Sequence, residues 1–383
     1  MAGEIPRVLL LRSQYWLDGA CENAGRSLGW EVTPVPVVME GALSQQQVAN
    51  FIDAIVSIRP DFILSINLAA MDQDGLFARF FDDLEVPHVT WFVDDPRTII
   101  MGNTSYASAH TIALTWDRAY LDYLERAGFS HAHWMPLAAD TSVFNGEPSP
   151  TPSFPPTFVG NSMEWFAARA WESVTADPKL LAAAQAAFEG ERVTRERFGS
   201  GLDAIVGADF YGELDEEQRR SLEMLFFLEG TRRYRRRYLE RLHDEGVRVR
   251  GDADWRRWMS DAGPPVHYFN ELPAFYRECE VNLNFTSIQM PGAVNQRVFD
   301  CPAAGGFLLT DAQADLSNLF DTEVEVASFG SVEECVEKLR WFRDRPNARR
   351  EILDRARSRI LREHTYVHRM KAIARLVLEH FGK

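Results

Sequence analysis

The sequence predicts an α/β protein built from two Rossmann-like domains, each with a parallel sheet. Three observations carry this prediction. The length of 383 residues suits two cores better than one. Strand-like and helix-like segments alternate along the chain, and a Pro-rich stretch separates two such alternations. Hydrophobic residues make up 46% and charged residues 25% of the chain, which is ordinary globular composition and argues against extensive disorder.

The N-terminal domain is expected to span residues 1–140. Strands are predicted at residues 8–11, 31–38, 61–66, 86–93 and 111–115. Helices are predicted at residues 20–28, 45–58, 75–84 and 119–127, of which 45–58 has the clearest spacing of apolar residues. Strands joined by helices imply right-handed crossovers and a parallel sheet. Ligands bind at the carboxyl ends of such strands, so the loops after residues 11, 66 and 93 should face any cleft.

A Pro-rich linker is expected at residues 141–156, which include the run PSPTPSFPP. The C-terminal domain should follow over residues 157–362, with a helical insertion at about 162–243. Its strands are predicted at residues 157–159, 247–250, 266–269, 281–285, 306–309 and 324–329. Amphipathic helices close the chain, and the last one, within residues 363–383, is expected to return toward the N-terminal domain.

Charge and cysteine usage exclude several classes of function. The net charge of −15 is opposite to that of a protein that grips nucleic acid by its phosphates. The four cysteines are far apart in the sequence, which argues against a disulfide framework and fits a reduced cytoplasm. No run of about 18 apolar residues occurs, so no transmembrane segment is expected.

The strongest constellation is residues 291–311, PGAVNQRVFDCPAAGGFLLTD. Asn295 and Arg297 precede Asp300 in a predicted helix, which leads into Gly305 and a strand. A helix N-terminus suits a diphosphate, an arginine can donate two hydrogen bonds to phosphate oxygens, and a carboxylate suits ribose hydroxyls. The alternative is an ordinary strand–helix–strand unit with a buried asparagine and a surface arginine.

Two carboxylates end the strand in WFVDDPR, residues 91–97. Asp94 or Asp95 could orient or deprotonate the hydroxyl of an acceptor molecule. The alternative is that an aspartate caps a helix and a proline turn stops a buried strand.

A run of arginines at residues 232–237 invites a nucleic-acid interpretation. Tyr234 and Tyr238 share one helical face with leucines, however, so a solvated, charge-balanced helix is the preferred interpretation. No metal site is expected, because the aspartates and histidines lack the spacing of metal ligands. These residues are Asp72, Asp74, His88, His131 and His133.

Five blocks occur in order between about residue 85 and the C-terminus: HWMPLAADTSVF, FVGN, VNLNFTS, NQRVFDCPAAGGFLLTD and REHTYVHRM. Together they resemble the CgeB-like, spore-maturation type of GT-B glycosyltransferase, which is related to the retaining enzymes of the glycogen-synthase type. The resemblance implies two Rossmann-like domains that face a cleft, with C-terminal helices packing back across. It also implies metal-independent transfer of a sugar from a nucleoside-diphosphate sugar, such as a UDP- or GDP-sugar, without a further cofactor.

The resemblance assigns roles within the strongest constellation. Asp300 matches the second acidic position of an E-x7-E motif, which holds the donor ribose. The first acidic position falls at Gly292, which removes the usual contact with the donor sugar and leaves retention or inversion open. Arg297 and Asn295 would face the diphosphate and the sugar.

Further roles follow from the same resemblance. Gly160 and Asn161 would lie close to the phosphates, and Asn270 would border the nucleobase. Arg297 and the helix end beside Gly305 are the candidates for stabilising the leaving group, and Arg169 could substitute for the family's second basic residue. Removing one such donor should cost roughly 3 kcal/mol in the transition state, so Arg297→Ala should abolish transfer and leave the fold intact.

Three alternatives stay open from the sequence: a non-catalytic nucleotide-sugar-binding module, which Gly292 favours, a sugar-nucleotide epimerase, and a nucleic-acid-binding protein. The sequence names neither the sugar, the base nor the acceptor, which could be a protein, a surface polysaccharide or a small metabolite. It also leaves the oligomeric state open.

Overall fold

The computed structural model describes residues 5–13, 15–37 and 44–382. The chain divides into two compact units. Unit 1 comprises Met1–Ser142 together with His364–Lys383, and unit 2 comprises Val143–Glu363. Each unit contains one parallel sheet with helices, which confirms the predicted α/β class.

Unit 1 is built on a six-stranded parallel sheet. Its strands are β1 (Arg7–Arg12), β2 (Glu31–Pro36), β3 (Phe62–Ile66), β4 (His88–Phe92), β5 (Thr111–Thr115) and β6 (His131–Trp134). The strand order is β2-β1-β3-β4-β5-β6. The chain therefore places β2 on one side of β1 and β3 on the other, and the sheet reverses its winding between β1 and β3.

The helices between these strands in the described residues are α1 (Trp16–Ser27), α2 (Gln45–Ile58), α3 (Leu76–Asp83), α4 (Pro96–Ile100) and α5 (Leu121–Arg126). The bounds of α2 and β5 coincide with their predictions. The prolines in β2 indicated an edge strand, and β2 does lie at the edge of the sheet. Its predicted end at residue 38 lies outside the described residues. The sequence analysis did not predict β6 and α4, because β6 lacks an apolar run and α4 is too short to show periodicity.

Unit 2 contains a five-stranded parallel sheet. Its strands are β7 (Thr157–Val159), β8 (Arg248–Arg250), β9 (Asn282–Asn284), β10 (Leu308–Asp311) and β11 (Ala327–Phe329). The strand order is β11-β10-β9-β7-β8. A strand predicted at residues 266–269 is wrong, because this segment forms a loop and a turn. Two prolines directly before it cannot donate backbone hydrogen bonds to a sheet.

The helices of unit 2 begin with a group between β7 and β8: α6 (Glu164–Thr175), α7 (Pro178–Glu189), α8 (Arg195–Ser200), α9 (Asp203–Val206), α10 (Ala208–Gly212) and α11 (Glu216–His243). The later helices are α12 (Leu272–Glu278), α13 (Arg297–Ala303), α14 (Leu316–Leu319), α15 (Val332–Arg343) and α16 (Pro346–Glu363). The first half of α11 packs in a helical core with Leu222 and Phe226, and its second half covers the sheet with Leu239 and Leu242.

The last helix, α17 (Tyr366–Phe381), belongs to unit 1 and packs against α1. Its buried face includes Met370, Ile373 and Val377. The buried Arg369 donates hydrogen bonds to the carbonyl oxygens of Pro136 and Leu137, at 2.7 and 2.9 Å. These bonds join the start of α17 to the segment that follows β6. Among the helices that the structure describes, none combines the length and apolar character that a membrane crossing requires.

Candidate functional site

The candidate site of unit 2 lies where its sheet reverses winding. β7 is the first strand of the unit, and the chain places β8 on one side of it and β9 on the other. Ligands of such sheets bind outside the carboxyl ends of the strands at this reversal. Gly160 and Asn161 follow β7, and Asn284 ends β9. The side chains that converge beside these residues define the candidate site.

Arg297 connects the ends of the two strands. It is the first residue of α13, and its Nη1 donates a hydrogen bond to Oδ1 of Asn284 at 2.7 Å. Its Nη2 donates to the carbonyl oxygen of Val159. The guanidinium carbon lies 5.3 Å from the centre of the Phe158 ring. The structure thus places this predicted site residue at the reversal point of the sheet.

A second arginine, Arg235 of α11, reaches the same place. Its Nη1 donates a hydrogen bond to the carbonyl oxygen of Asn161 at 2.8 Å, and its guanidinium carbon lies 5.6 Å from the centre of the Phe158 ring. Burial and, secondarily, the positive charge of Arg297 lower the pKa of Arg235 to about 10, although Asp311 and Asp252 act in the opposite direction. The guanidinium therefore still carries its charge at neutral pH.

Arg235 and Arg297 are called the arginine pair below. Over the described part of the chain, their hydrogen bonds go only to neutral oxygen atoms. Their Nε atoms are buried and have no hydrogen-bond partner in the structure. The charge of Arg297 disfavours the cation at Arg235, and a bound anion would offset this effect, because planar guanidinium donors match phosphate oxygens. The arginine pair therefore forms a candidate phosphate site.

Glycines bring the backbone of β7 and β8 close together beside the arginine pair. A Cβ atom on Gly160 would lie 2.6 Å from the Phe158 ring, and one on Gly251 would lie 2.1 Å from the Gly160 carbonyl oxygen. That oxygen also accepts a hydrogen bond from Nε1 of Trp255 at 2.8 Å. The side chain of Asn161 accepts from the amide of Met163 at 2.6 Å, which shapes the turn into α6. Gly160 and Asn161 are thus part of the site through their backbone.

Asn295 and Asn284 orient Arg297. Nδ2 of Asn295 donates to Oδ1 of Asn284 at 2.8 Å, and Oδ1 of Asn295 accepts from the amide of Arg297 at 3.2 Å. Nδ2 of Asn284 donates to Oγ1 of Thr310 at 2.9 Å. The sequence analysis did not single out Asn284, although a buried asparagine that ends a strand in VNLNF was a signal that could have identified it.

A third arginine close by is neutralised. Nη2 of Arg195 donates to Oδ2 of Asp311 at 2.9 Å and to the carbonyl oxygen of Thr286 at 2.8 Å. Asp311 also accepts from the hydroxyl of Tyr234 at 3.0 Å and from the amide of Thr286 at 2.9 Å. This network holds the ends of β9 and β10 together. Arg195 therefore differs from the arginine pair, to which no carboxylate of the described residues is hydrogen-bonded.

Asp300 lies in α13 and is 1% exposed. Its Oδ2 accepts from the hydroxyl of Tyr268 at 2.6 Å, and its Oδ1 accepts from Nε2 of Gln296 at 2.7 Å. Asn270 lies two residues after Tyr268 and is exposed, with its amide bonded to Nδ1 of His267 at 3.3 Å. The structure thus joins Asp300 to the loop that carries Asn270.

Gly305 lies at the other end of α13 from Asn295. It follows the C-terminal end of the helix with φ of +88°, and a Cβ atom there would lie 2.8 Å from the backbone of Glu147. A helix C-terminus carries partial negative charge, which repels a phosphate. The expectation that the helix end beside Gly305 stabilises the leaving group is therefore corrected. Gly305 has a structural role, because only glycine fits a left-handed position this close to another backbone.

The second basic residue of the site is Arg235 and not Arg169. The side chain of Arg169 is 65% exposed and pairs with Glu172 at 3.0 Å. Other arginines of the run at residues 232–237 are balanced by acids, as expected, although Glu229 is buried. Arg232 and Arg233 pair with Glu229, and Arg236 pairs with Glu240. Arg235 departs from that interpretation, because its guanidinium lies at the candidate phosphate site.

The spacing of apolar residues in α11 was the signal that could have separated Arg235 from its neighbours. Arg235 lies four residues from the buried Thr231 and four from the buried Leu239. Residues four apart share one helical face. An arginine within the buried face of a helix is uncommon and needs a partner or a function.

Asp94 and Asp95 of unit 1 have different environments. Asp95 is 2% exposed and caps α4, where its carboxylate accepts from the amide of Arg97 at 3.0 Å and pairs with the Arg97 guanidinium at 2.6 Å. The interpretation of Asp95 as a helix cap is correct, and a catalytic role for it is not supported. Oδ2 of Asp94 accepts from the hydroxyl of Tyr15 at 3.0 Å and from Nδ2 of Asn67 at 2.8 Å.

A search of the described residues finds no three His, Cys, Asp or Glu side chains arranged to hold a metal ion. His88 illustrates why one candidate ligand is structural. It is buried in the sheet, its Nε2 lies 2.8 Å from Oγ of Ser65, and burial lowers its pKa to about 3.

Residues 232–375 match a protein-family model described as "Glycosyl transferase-like". The matched segment contains both residues of the arginine pair, together with Asp300 and Asn270. No curated protein matches the sequence significantly.

Three solved structures illustrate the similarity in fold, and two of them are complexes with UDP-glucose. Sucrose-phosphate synthase from Thermosynechococcus elongatus aligns with a TM-score of 0.53 at 10% identity, over 99% of this chain and 100% of that chain. Anabaena HepE in complex with UDP-glucose aligns with a TM-score of 0.53 at 12% identity, over 98% and 100%. The T4 phage protein BGT in complex with its UDP-glucose substrate aligns with a TM-score of 0.51 at 8% identity, over 98% and 99%.

At these identities the structural likeness establishes the fold. The chain has the GT-B fold of glycosyltransferases, and its C-terminal part matches a glycosyltransferase-like family model.

Proposed function

We propose that this protein is a glycosyltransferase of the CgeB-like type, which transfers a sugar from a nucleoside-diphosphate sugar to a separate acceptor. The observation that carries the proposal is the arginine pair at the winding reversal of unit 2, because among the described residues its two cations hydrogen-bond only to neutral oxygens. A bound diphosphate would supply the negative charge that balances these two cations. UDP-sugars are the preferred donor class, since the solved neighbours HepE and BGT are complexes with UDP-glucose.

The mechanism follows from where charge develops. When the bond between the anomeric carbon and the diphosphate breaks, negative charge grows on the leaving diphosphate oxygens. Arg235 and Arg297 stabilise this charge in a partly buried site, where such donors are worth more than in water. We propose that transfer needs no metal ion, because the arginine pair supplies the cationic charge, and that activity therefore persists in EDTA.

The remaining residues have proposed positioning roles. The backbone at Gly160 and Asn161 lies beside the phosphates, and Asn295 holds Arg297 in place. Asp300 contacts the ribose, while Asn270 borders the base. For the acceptor, we propose that Asp94 orients or deprotonates the hydroxyl that receives the sugar. We also propose the cytoplasmic location that the unpaired cysteines suggest, which cell fractionation would check.

Donor binding is the first test. Calorimetric titration of UDP, GDP, ADP and dTDP in EDTA should show preferential binding of UDP. Arg235→Ala and Arg297→Ala should each weaken UDP binding at least tenfold, since each removes a charge-assisted contact worth roughly 1.5–3 kcal/mol. Arg236→Ala is the matched control, because Arg236 lies on the same helix and pairs with Glu240 on the surface. Equal affinity in all four proteins would exclude the arginine pair as the phosphate site.

Turnover is the second test. With a bound UDP-sugar, loss of either arginine should lower the rate of donor hydrolysis or transfer by roughly 10²–10³. Product stereochemistry by NMR would then decide between retention and inversion.

One observation favours a non-catalytic binding module as the second candidate. Gly292 stands at the first acidic position of the E-x7-E motif and has no side chain to contact a donor sugar, and its carbonyl oxygen accepts from the amide of Asp315 at 2.9 Å. UDP-sugar binding without hydrolysis or transfer would establish the binding module and exclude the enzyme.

A further inference from the structure

Two neighbouring loops of unit 2 are joined by the side chain of Asp252. The loop after β7, residues 160–163, is called the β7 loop below, and the segment after β8, residues 251–257, is called the β8 loop. Oδ2 of Asp252 accepts a hydrogen bond from the amide of Ser162 at 2.6 Å, and its Oδ1 accepts from Oγ of Ser162 at 2.7 Å. The two residues are 90 positions apart in the sequence, so this contact is created by the tertiary fold.

The contact between Asp252 and Ser162 is anchored on both sides. Ser162 is 3% exposed, and its Oγ accepts from the amide of Glu164 at 3.2 Å, where α6 begins. The Asp252 side chain also accepts from the amide of Asp254 at 3.1 Å and thereby caps a short 3₁₀-helix in the β8 loop. Each side chain is therefore tied to the start of a helix, which limits its movement.

Two further hydrogen bonds hold the β7 loop against β8 and the β8 loop. The amide of Gly160 donates to the carbonyl oxygen of Arg250 at 2.9 Å. The carbonyl oxygen of Gly160 accepts from Nε1 of the buried Trp255 at 2.8 Å. The conformation of the β7 loop is therefore set by residues that lie about 90 positions later in the chain.

The β7 loop in turn holds Arg235 of the arginine pair. Nη1 of Arg235 donates to the carbonyl oxygen of Asn161 at 2.8 Å. Asn161 lies between Gly160 and Ser162, which are the two residues bonded to the β8 loop. The next three amides, those of residues 162–164, are all bonded to side chains. The β7 loop therefore acts on the candidate phosphate site through the carbonyl oxygen that orients Arg235.

Asp252 also acts on Arg235 through its charge. Burial and, next, the charge of Arg297 lower the pKa of Arg235, whereas the charges of Asp311 and Asp252 act in the opposite direction. A carboxylate close enough to act on Arg235 also repels a diphosphate that is bound there. The charge of Asp252 and its hydrogen bonds therefore have opposite effects on the binding of an anionic donor.

We propose that Asp252 is a positioning residue of the donor site, which fixes the β7 loop so that the carbonyl oxygen of Asn161 directs Arg235 at the diphosphate. The inference rests on the proposed function and adds to it a residue that acts through Arg235. The net contribution of Asp252 to donor binding is favourable, because the positioning of Arg235 outweighs the repulsion between the two negative charges.

Calorimetric titration of the full-length protein with UDP tests the sign of this contribution. Asp252→Asn keeps the size of the side chain, but the amide group that replaces one oxygen cannot accept a hydrogen bond. One of the two bonds to Ser162 is therefore lost, and UDP affinity should fall roughly fivefold to tenfold. Removal of the charge alone would strengthen UDP binding. Equal or tighter binding of UDP by Asp252→Asn would overturn the assignment.

A double-mutant cycle with Arg235→Ala distinguishes the positioning of Arg235 from a general loss of structure. In the Arg235→Ala background, Asp252→Asn should change UDP affinity by less than about twofold, because the group that Asp252 positions is absent. A loss of the same size with and without Arg235 would show a merely structural role and would also overturn the inference.

Asp254→Asn is the matched control, because Asp254 lies in the same loop and its carboxylate pairs with Arg257 at 3.2 Å. It removes the same charge without changing a bond to Ser162, so UDP affinity should stay within about twofold. Thermal unfolding of each variant checks that it is folded.

Ser162→Ala approaches the same contact from its other side. It removes the Oγ bond to Asp252 and keeps the amide bond, so it is the milder change and carries the cycle if Asp252→Asn does not fold. It should weaken UDP binding about threefold when Arg235 is present and have no effect in the Arg235→Ala background. Unchanged affinity in both backgrounds would contradict the inference.

The outcomes separate the two proposals. Absence of UDP binding in the unaltered protein would refute the proposed function and this inference together. UDP binding that Arg235→Ala weakens, but that Asp252→Asn and Ser162→Ala leave unchanged, would overturn only this inference.

Discussion

Arg235 shows how one residue changes the interpretation of a segment. It belongs to a run of arginines, in which Arg233 pairs with the buried Glu229 and Arg236 pairs with the exposed Glu240. Arg235 instead lies against Phe158 beside Arg297, where burial and like charge lower its pKa to about 10. An arginine tolerates this environment because its ordinary pKa lies so far above neutrality.

A lysine at this position should respond differently, which gives a prediction at the residue scale. Lysine starts from a pKa of about 10.4, so the same surroundings should bring the pKa of the lysine in Arg235→Lys well below that value and closer to neutrality. UDP affinity of the variant should therefore fall as pH rises from 7 to 9, while that of the unaltered protein stays level. Calorimetric titrations at several pH values measure this. Parallel pH profiles in the two proteins would contradict the assigned environment of Arg235.

The direction of helix α13 decides which of its residues lie at the candidate site. Its direction places Arg297 at the strand ends and Gly305 at the opposite end, next to Glu147. The sequence indicated the helix and the glycine, but the sign of the partial charge that a ligand meets depends on which end of the helix faces it. The same glycine therefore changes from a predicted phosphate contact to a helix terminator.

Two glycines with positive φ allow the cost of the backbone conformation to be distinguished from the cost of a steric clash. Gly305→Ala must adopt φ of +88° and place its Cβ 2.8 Å from the Glu147 backbone, whereas Gly246 has φ of +80° with nothing within 4 Å. Gly246→Ala should cost about 1 kcal/mol in the free energy of unfolding. Gly305→Ala should cost about 1–3 kcal/mol more, because backbone must move. Chemical denaturation measures both, and equal losses would show that the Glu147 contact is unimportant.

At the scale of the whole molecule, the chain returns to unit 1 after completing unit 2. Helix α17 contributes Met370 and Ile373 to the buried surface against α1, and Arg369 bonds to the carbonyl of Pro136, 233 residues earlier. The fold of unit 1 therefore lacks a packed helix until α17 has been synthesised.

Removal of residues 364–383 should accordingly affect unit 1 most. We expect faster amide hydrogen exchange in α1 and β1, because the deletion exposes the apolar face of α1 and leaves the Pro136 segment without its donor. The strands of unit 2 should change least. A chain that ends after Phe381 retains α17 and serves as the control. Loss of protection spread evenly over both units would contradict the assignment of α17 to unit 1.

Local patterns were sufficient for much of the fold. The spacing of apolar residues predicted α2, and continuous apolar runs predicted β3 to β5. Prolines indicated that β2 is an edge strand. These predictions were possible because each signal acts within a few residues. The strand predicted at residues 266–269 was wrong. Its aromatic residues are typical of strands, but the two preceding prolines prevent the backbone hydrogen bonds of a sheet. The short α4 and the partly exposed β6 carry too little local signal.

Sequence patterns were enough to predict the fold class, the polar loops at the strand ends, and Arg297, Asp300 and Asp94 as candidate site residues. The partners of these residues became visible only in the folded chain. Arg235 meets Arg297, and Tyr15 and Asn67 meet Asp94, through contacts between residues that are 27 to 79 positions apart in unit 1 and lie on different elements in unit 2. The physical reason is that periodicity reports which face of an element is apolar, whereas charge, burial and hydrogen bonding at a site depend on which elements the sheet order brings together.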